Sequence, residues 1–375
     1  MIRRPTRGGA SPRVGRRSSG GTPSCAGDTR GPRPRGRTRT RGRNRPLRWT
    51  TLLFDEADLD ELSRLDADAL LGAAGDTLER RFDPRDLYRR WERQHWLASD
   101  IDLERDRKHW DTLLSPGARD NLAYFIKSFL VGEYTGLDLM SPILAACPDE
   151  EYLVYLGTQA ADESRHTVFV SQVAEQVLGM DASLRRQVIE SWSVLTPAHR
   201  AVHSLENALL RDLAESPHDY AQWLRAVAFF HLVTEGVLAL HGQRGLVRGL
   251  QRVPLLPGLR AGFTAMTRDE SRHVSFGLHA LRRGAREGFS EAVHDMIETG
   301  MPLAAVVGVA PVGPGATPGR AAASARSAND LLATIAVRLR QLDLPRDFAE
   351  HVLGRCRTAQ EAVLHASTAA TAQDR

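Results

Sequence analysis

The pentapeptide Asp-Glu-Ser-Arg-His occurs twice in the chain, at residues 162–166 and again at residues 269–273. We call these the first and the second DESRH segment. Each one contains a Glu-x-x-His pair, and positions i and i+3 of an α-helix lie on one face because a turn takes 3.6 residues. The glutamate and histidine of each segment can therefore reach one point beside their helix, and the repeat predicts two similar halves around a shared site.

Each DESRH segment follows a further carboxylate at a similar distance. Glu133 lies 30 residues before Glu163, and Glu235 lies 35 residues before Glu270. A single Glu-x-x-His is a common coincidence on a solvated helix, but here steps of three and four residues from each glutamate meet mainly Leu, Val, Ile, Ala, Phe and Met. Amphipathic spacing of this kind marks the face that a helix buries. Four carboxylates are thus predicted to enter one interior.

Burying a carboxylate without a partner costs several kcal/mol, and a whole domain is stable by only about 5–15 kcal/mol, so four such groups require positive charge. Two divalent cations satisfy this requirement, and two neutral imidazoles complete their ligand shell. Iron and manganese suit such a donor set, although zinc and copper also bind sites of this kind. The predicted metal ligands are Glu133, Glu163, His166, Glu235, Glu270 and His273.

Arginines offer another way to neutralise buried carboxylates, and Arg165 and Arg272 lie within the DESRH segments. They point about 100–200° away from the glutamate and histidine directions on their helices. We therefore expect both arginines to reach the surface. Glu206 is expected on a surface or in helix pairing, and His199, His203, His231 and His241 are interpreted as ordinary core or surface residues, with His231 of interest because it lies one turn before Glu235.

The folded part of the chain is predicted to be all-α, a ferritin-like bundle with the dinuclear site in a four-helix core. Apolar periodicity predicts one or two short surface helices over residues 50–90, and a shorter helical pair over about 329–368. Long helices are predicted at roughly 116–140, 149–178, 186–212, 219–247 and 257–287, with turns marked by Pro or Gly.

Charge divides the chain unevenly. Residues 1–50 contain 15 arginines and one acidic residue, Asp28, so this segment carries +14; since the whole chain carries +4, the remaining 325 residues carry −10. A segment with so little to bury is expected to be disordered. The predicted organisation is a disordered arginine-rich arm over 1–49, the di-metal helical domain over 50–305, a Gly/Pro/Ala-rich loop over 306–328, and C-terminal helices and tail over 329–375.

Several classes of protein are excluded or disfavoured by composition. No run approaches the roughly 18 apolar residues that a membrane-spanning helix needs, so no membrane span is expected. Cys25, Cys147 and Cys356 are scattered without a CxxC pair, which argues against a disulfide scaffold or a cysteine zinc site. The arm's arginine pairs precede no apolar export segment, so a cytoplasmic protein is expected. Nucleic acid is expected to meet the arm through nonspecific contacts alone.

The sequence resembles the ribonucleotide reductase small-subunit superfamily, and within it the branch of ligand-binding oxidases. The similar stretches, spread over roughly residues 90–300, are HWLASDIDLERDRKHWDTL, GEYTGLD, QAADESRH, FFHLVTEGVLALHG and TRDESRHVSFG. The resemblance implies a Mn/Fe or Fe/Fe cofactor that reacts with dioxygen as co-substrate, an apolar or fatty-acid-like ligand, a homodimer, and an electron donor that the sequence does not identify. It also implies that Trp96 and Asp269 connect the surface to His166 for electron or proton transfer.

The chain departs from this family at three residue positions and in its C-terminal segment. Val170 stands where reductase subunits carry a radical tyrosine, and the terminus HASTAATAQDR lacks the tail that binds their large partner. The oxidase branch forms a tyrosine–valine cross-link, but the corresponding residues here are Phe230 and Thr135. Without either partner of the cross-link, either the oxidising power acts on an external substrate or the cross-link belongs only to relatives. A substrate is expected in an apolar pocket near Thr135, Val170 and Phe230.

The sequence thus favours a dioxygen-activating dinuclear metal oxidase or oxygenase. Two alternatives stay open at this point. One is a ribonucleotide reductase small subunit without the radical tyrosine, and the other is a non-catalytic ferritin-like metal-binding protein.

Overall fold

The structure, a computed structural model, describes Leu59 and residues 66–252, 255–309 and 318–373. The arginine-rich arm, predicted to be disordered, lies outside these residues. In the described part of the chain the regular structure is helical and no strand occurs, so the all-α prediction is confirmed.

The helices are labelled in chain order. They are α1 (Ala67–Glu79), α2 (Pro84–Arg93), α3 (Glu104–Thr112), α4 (Pro116–Ala145), α5 (Glu150–Gln176), α6 (Leu184–Val194), α7 (Pro197–Glu215), α8 (Tyr220–Arg252), α9 (Pro257–Gly284), α10 (Ser290–Val307), α11 (Pro318–Gln341) and α12 (Arg346–Gln373). The middle of α8, Ala228–Ala239, is π-helical.

Local sequence signals account for where the long helices begin. Ser115 and Asp149 cap α4 and α5, because their side chains accept hydrogen bonds from backbone N–H groups of the first turn. Asp106 does the same for α9 from a distant part of the chain: its carboxylate accepts from the N–H groups of Gly258 and Leu259 at 2.9 and 2.7 Å. This fully buried aspartate fixes the start of the most buried helix of the bundle.

Two helix predictions were wrong in detail. The single helix expected over 186–212 is two helices, because Leu195 is extended, Thr196 caps a new helix and Pro197 opens it. Proline is tolerated in a first turn but not in a helix interior. The loop expected over 306–328 is shorter than predicted, because α11 already begins at Pro318 and its alanines favour helix.

The core consists of two apolar clusters, and α4, α5, α8 and α9 contribute to both. The first cluster contains Tyr155, Val227 and Phe276, and the second contains Phe169 and Phe263. On α4, α5 and α9 the predicted ligands stand between the residues of one cluster and those of the other. The carboxylates of these helices are thus placed where the two apolar clusters meet.

Helix α8 is long and apolar enough to cross a membrane by length and composition. However, 78% of its most apolar stretch is buried inside the protein, as in the central helix of a soluble bundle. We read it as a core helix.

Candidate metal centre

The six predicted ligands come together at the middle of the bundle. Glu133 projects from α4, the first DESRH segment from α5, Glu235 from the π-helical part of α8 and the second DESRH segment from α9. All six side chains are buried, with relative exposures between 0% and 6%. Four helices therefore deliver four carboxylates and two imidazoles to one buried place.

Two groups of ligand atoms form around the two imidazoles. Nδ1 of His166 lies 3.2 Å from Oε2 of Glu133 and 3.4 Å from Oε1 of Glu270. Nδ1 of His273 lies 3.2 Å from Oε1 of Glu163, 3.3 Å from Oε1 of Glu235 and 3.5 Å from Oε2 of Glu270. Since the two oxygens of Glu270 face different imidazoles, this carboxylate lies between the groups. The arrangement provides two adjacent cation positions that share one bridging ligand.

The donor set fits two cations on the structure's own evidence. Among the described residues, no hydrogen bond of suitable geometry reaches the buried atoms Oε1 of Glu163, Oε2 of Glu235, Oε2 of Glu270 and Nδ1 of His273, although they lie close together. Such orphaned polar atoms are rare in native proteins and call for an ion or water. The ligand atoms within each of two groups, one of Glu133, His166 and Glu270, the other of Glu163, Glu270 and His273, lie within 4.8 Å of one another.

Electrostatics lead to the same conclusion. Burial raises the pKa of Glu133 to about 7 and raises that of Glu235 well above its ordinary range. Burial would lower the pKa of His166, but hydrogen bonds to Asp269 and Glu133 hold it well above the ordinary value. In the absence of a cation the cluster thus keeps protons that a metal ion would displace.

The outer nitrogen of each imidazole faces an aspartate from the other DESRH segment. Nε2 of His166 lies 3.1 Å from Oδ2 of Asp269, and Nε2 of His273 lies 3.2 Å from Oδ2 of Asp162. An N–H donated to a carboxylate at this position leaves Nδ1 with its lone pair towards the cluster, which is the tautomer that a metal ligand needs. The two segments therefore orient each other's histidines.

The expectation that the two arginines reach the surface was wrong. Arg272 is 1% exposed and donates 2.7 Å hydrogen bonds to both Asp162 and Asp269, and Arg165 also pairs with both aspartates. Burial alone would raise the pKa of Asp269, but Arg272 holds it well below its ordinary range. The expectation considered each helix alone, whereas α5 and α9 pack so that both guanidinium groups meet Asp162 and Asp269 inside the bundle.

Trp96 contacts this layer, while its implied role in electron or proton transfer stays a prediction. The indole is 4% exposed, donates Nε1–H to Oδ2 of Asp269 at 2.7 Å and stacks on the His166 ring with centroids 6.3 Å apart. Trp96, Asp269 and His166 form a continuous connection from the edge of the core to one metal position.

Residues 83–304 match the family model described as ribonucleotide reductase, small chain. The chain belongs to this family. Similar solved structures include an R2-like ligand-binding oxidase from Sulfolobus acidocaldarius, with 19% identity and a TM-score of 0.51 over 76% of this chain and 92% of that one. Another is a variant R2-like ligand-binding oxidase with an anaerobically reconstituted Mn/Fe cofactor, with 19% identity and a TM-score of 0.55 over 71% of this chain and 93% of that one. The suspected family and the ferritin-like fold are confirmed.

In this small-chain family member four of the six candidate ligands border an apolar cavity of about 80 Å³. Besides Glu133, Glu163, Glu235 and Glu270, its wall includes Phe129, Val202, Phe230 and Leu238 on the apolar side, and His199, His203 and Thr234 on the polar side. The cluster is thus open to a small apolar space rather than sealed by side chains.

The three residues expected around the substrate are not neighbours on one cavity wall. Phe230 lines the cavity. Thr135 lines a different, outer pocket with Trp192, and Val170 is fully buried in the second apolar cluster near Trp96. Each follows its helix: Thr135 stands two residues past Glu133, so its side chain turns outward.

Several residues around the centre were missed by sequence reasoning or given ordinary roles. Gln159 donates to Oε1 of Glu235 at 2.9 Å, and its own amide oxygen lies 3.0 Å from Nε2 of His231. Glu206 is 2% exposed and pairs with His203 at 3.1 Å, while Thr234 donates to its other oxygen. The position of Gln159 four residues before Glu163, on the same helix face, is the signal that could have found it.

Proposed function

We propose that the protein is a dioxygen-activating oxidase or oxygenase that holds two metal ions, as a Mn/Fe or Fe/Fe pair, and acts on an apolar substrate. The observation that carries the proposal is the buried group of four carboxylates and two imidazoles beside an apolar cavity. Solved relatives with this fold carry a reconstituted Mn/Fe cofactor, which supports the same choice of metals.

The residues divide into two ligand groups. Glu133 and His166 would hold one ion, Glu163, Glu235 and His273 the other, and Glu270 would bridge them. When bound, such ions supply the redox chemistry that reduces dioxygen. Asp162 and Asp269 would keep the imidazole N–H groups away from the ions and so fix the ligand tautomers.

The cavity limits what can reach the centre. One water occupies roughly 10–15 Å³ on this measure, so a space of about 80 Å³ admits a small molecule or the reacting end of a longer one. Phe129, Phe230 and Leu238 favour C–H-rich groups there, whereas His199 and His203 offer polar contacts. A fatty-acid-like ligand would have to extend beyond this cavity. An external electron donor, a homodimer and a cytoplasmic location belong to the proposal.

The decisive experiment is the metal content per chain after expression in medium with equal iron and manganese. We expect two metals per chain, and a transient visible absorption when dioxygen meets the reduced, anaerobic protein. The double variant Glu163→Ala with Glu270→Ala should bind neither ion, because it removes the bridge and a ligand of the second group.

A matched control replaces two exposed glutamates on α5 and α10, Glu175→Ala with Glu291→Ala, and should leave metal content unchanged. Two metals in the Glu163/Glu270 variant, or fewer than one in the unmodified protein, would contradict the proposal. Two metals with mineral accumulation and no oxidation of apolar compounds would instead identify a metal-storage protein.

A further inference from the structure

A second connection of tryptophan, aspartate and histidine leads to the other metal position. The indole of Trp91 donates Nε1–H to Oδ1 of Asp162 at 3.0 Å, and Oδ2 of Asp162 lies 3.2 Å from Nε2 of His273. It uses the same three residue types as the connection through Asp269 to His166, but here the indole and the imidazole contact different oxygens of the aspartate, whereas Trp96 and His166 share Oδ2 of Asp269. Trp91 lies on α2, five residues before Trp96 and outside the DESRH segments.

The two tryptophans differ in their exposure to solvent and in the groups between them and the surface. Trp96 is 4% exposed and its ring is covered by the Arg165 guanidinium, 4.9 Å from the ring centroid. Trp91 is only partly buried, and the Tyr88 ring stands 6.0 Å from it, tilted by 38°. Tyr88 in turn lines a surface groove beside Val154, a residue that is 59% exposed. A chain of oxidisable rings thus runs from the surface to Asp162.

We propose that Trp91 is an electron-transfer residue that carries single electrons from a donor at this surface to the metal position of His273. The inference rests on the proposed function, since it requires a redox-active metal pair. It assigns Trp91 a role apart from that of Trp96: the two indoles reach different imidazoles through different aspartates, and solvent lies closer to Trp91.

The step moves one electron and no atom. A one-electron donor, reduced methyl viologen in the test below, is oxidised by one electron, and the oxidised metal pair is reduced by one. Trp91 returns to its starting state, so no bond is formed or broken and no proton is consumed. The Trp91 Nε1–H···Asp162 hydrogen bond keeps the indole in fixed contact with the path.

The test follows reduction of the air-oxidised, iron-loaded protein by reduced methyl viologen in an anaerobic stopped-flow instrument, through loss of the oxidised centre's absorption. Trp91→Phe should slow reduction per bound metal by about tenfold, a barrier increase of about 1.4 kcal/mol. Trp91→Tyr retains an oxidisable ring and should recover part of the rate. A purely structural role would change metal content and leave the rate per bound metal unchanged in both variants.

Trp110→Phe is the matched control, because Trp110 packs against the second apolar cluster on α3, away from Asp162. It should reduce at the unmodified rate. An unmodified rate in Trp91→Phe with two metals bound overturns the role of Trp91 and leaves the proposed function intact. Failure of the unmodified protein to bind two metals overturns the proposed function itself. If Trp91→Phe does not fold, Trp91→His takes its place, since histidine can still donate an N–H to Asp162 but is hard to oxidise, and an unmodified rate per bound metal in that variant overturns the inference.

Discussion

The two DESRH segments are identical in sequence but differ in their surroundings. In both, the aspartate accepts from an indole and faces the other segment's imidazole. The difference lies in the preceding carboxylates. Glu133 stands on a regular α-helix against His166, whereas Glu235 stands in the π-helical part of α8 and accepts from Gln159. A repeated pentapeptide thus sets the common geometry, while the helices around it make the two metal positions chemically unequal.

The largest expected effect comes from removing the guanidinium of Arg272, which pairs with the aspartates of both DESRH segments. Arg272→Met leaves Asp162 and Asp269 short of a buried partner, and loss of one partner of a buried ion pair costs about 3–5 kcal/mol. Arg165→Met should cost about 1–2 kcal/mol, because its side chain is 10% exposed and Arg272 still holds both aspartates. Urea unfolding of the metal-free proteins at pH 7 measures both values; equal losses would contradict the central role of Arg272.

A second test uses His231, whose imidazole contacts Gln159, the residue that donates to Glu235. Burial lowers the pKa of His231 to about 3. The unfolded chain, with an ordinary histidine pKa near 6.5, therefore binds the proton more readily than the folded one, and stability falls as the pH falls below about 6.5. Between pH 7 and 5 the loss from His231 is about 2 kcal/mol.

His231→Gln should remove this part of the acid sensitivity, because glutamine can still pair with Gln159 and does not titrate. The measurement is the free energy of unfolding at several pH values for both proteins. His199, whose pKa burial lowers to about 4, stays in both and cancels in the comparison. Parallel pH curves for the two proteins would show that His231 does not titrate as expected.

Gln159→Leu should increase the difference in metal affinity between the two positions. Loss of the amide that orients a ligand typically lowers metal affinity by about 10–100-fold. Because Gln159 contacts Glu235, only one of two binding steps should weaken in a calorimetric metal titration. Gln176→Leu, at the exposed end of the same helix, is the control. Equal weakening of both steps would show that the positions are not independent.

The last prediction concerns acid and metal binding at the whole centre, and its effect is smallest when it is counted over a single pH unit. Glu133, with its pKa near 7, and His166, with its raised pKa, both hold protons in the metal-free protein. A metal ion must displace them, so affinity should fall by about tenfold or more for each pH unit from 8 to 6. Proton release on adding metal to weakly buffered protein measures the number displaced; no release would contradict the raised pKa values.

The helical periodicity of the sequence was enough to place six candidate ligands on inward faces, because each face depends only on its own helix. Periodicity does not predict which residues of other helices a side chain contacts. The surface position expected for Arg165 and Arg272 was wrong for this reason, and for the same reason Thr135 does not join Phe230 at the cavity. The break at Thr196 could have been read from Pro197, whose preceding residues carry a helix-capping signal.

Because each DESRH segment contacts the histidine of the other, substitutions in the two segments are not independent. Arg272 belongs to the second DESRH segment but supports the aspartate of both. A substitution in one segment therefore affects the orientation of the histidine in the other, although the two histidines, 166 and 273, lie 107 positions apart in the chain. Neither segment can change without affecting the histidine of the other. Selection on either metal position therefore acts on both copies of the repeated pentapeptide.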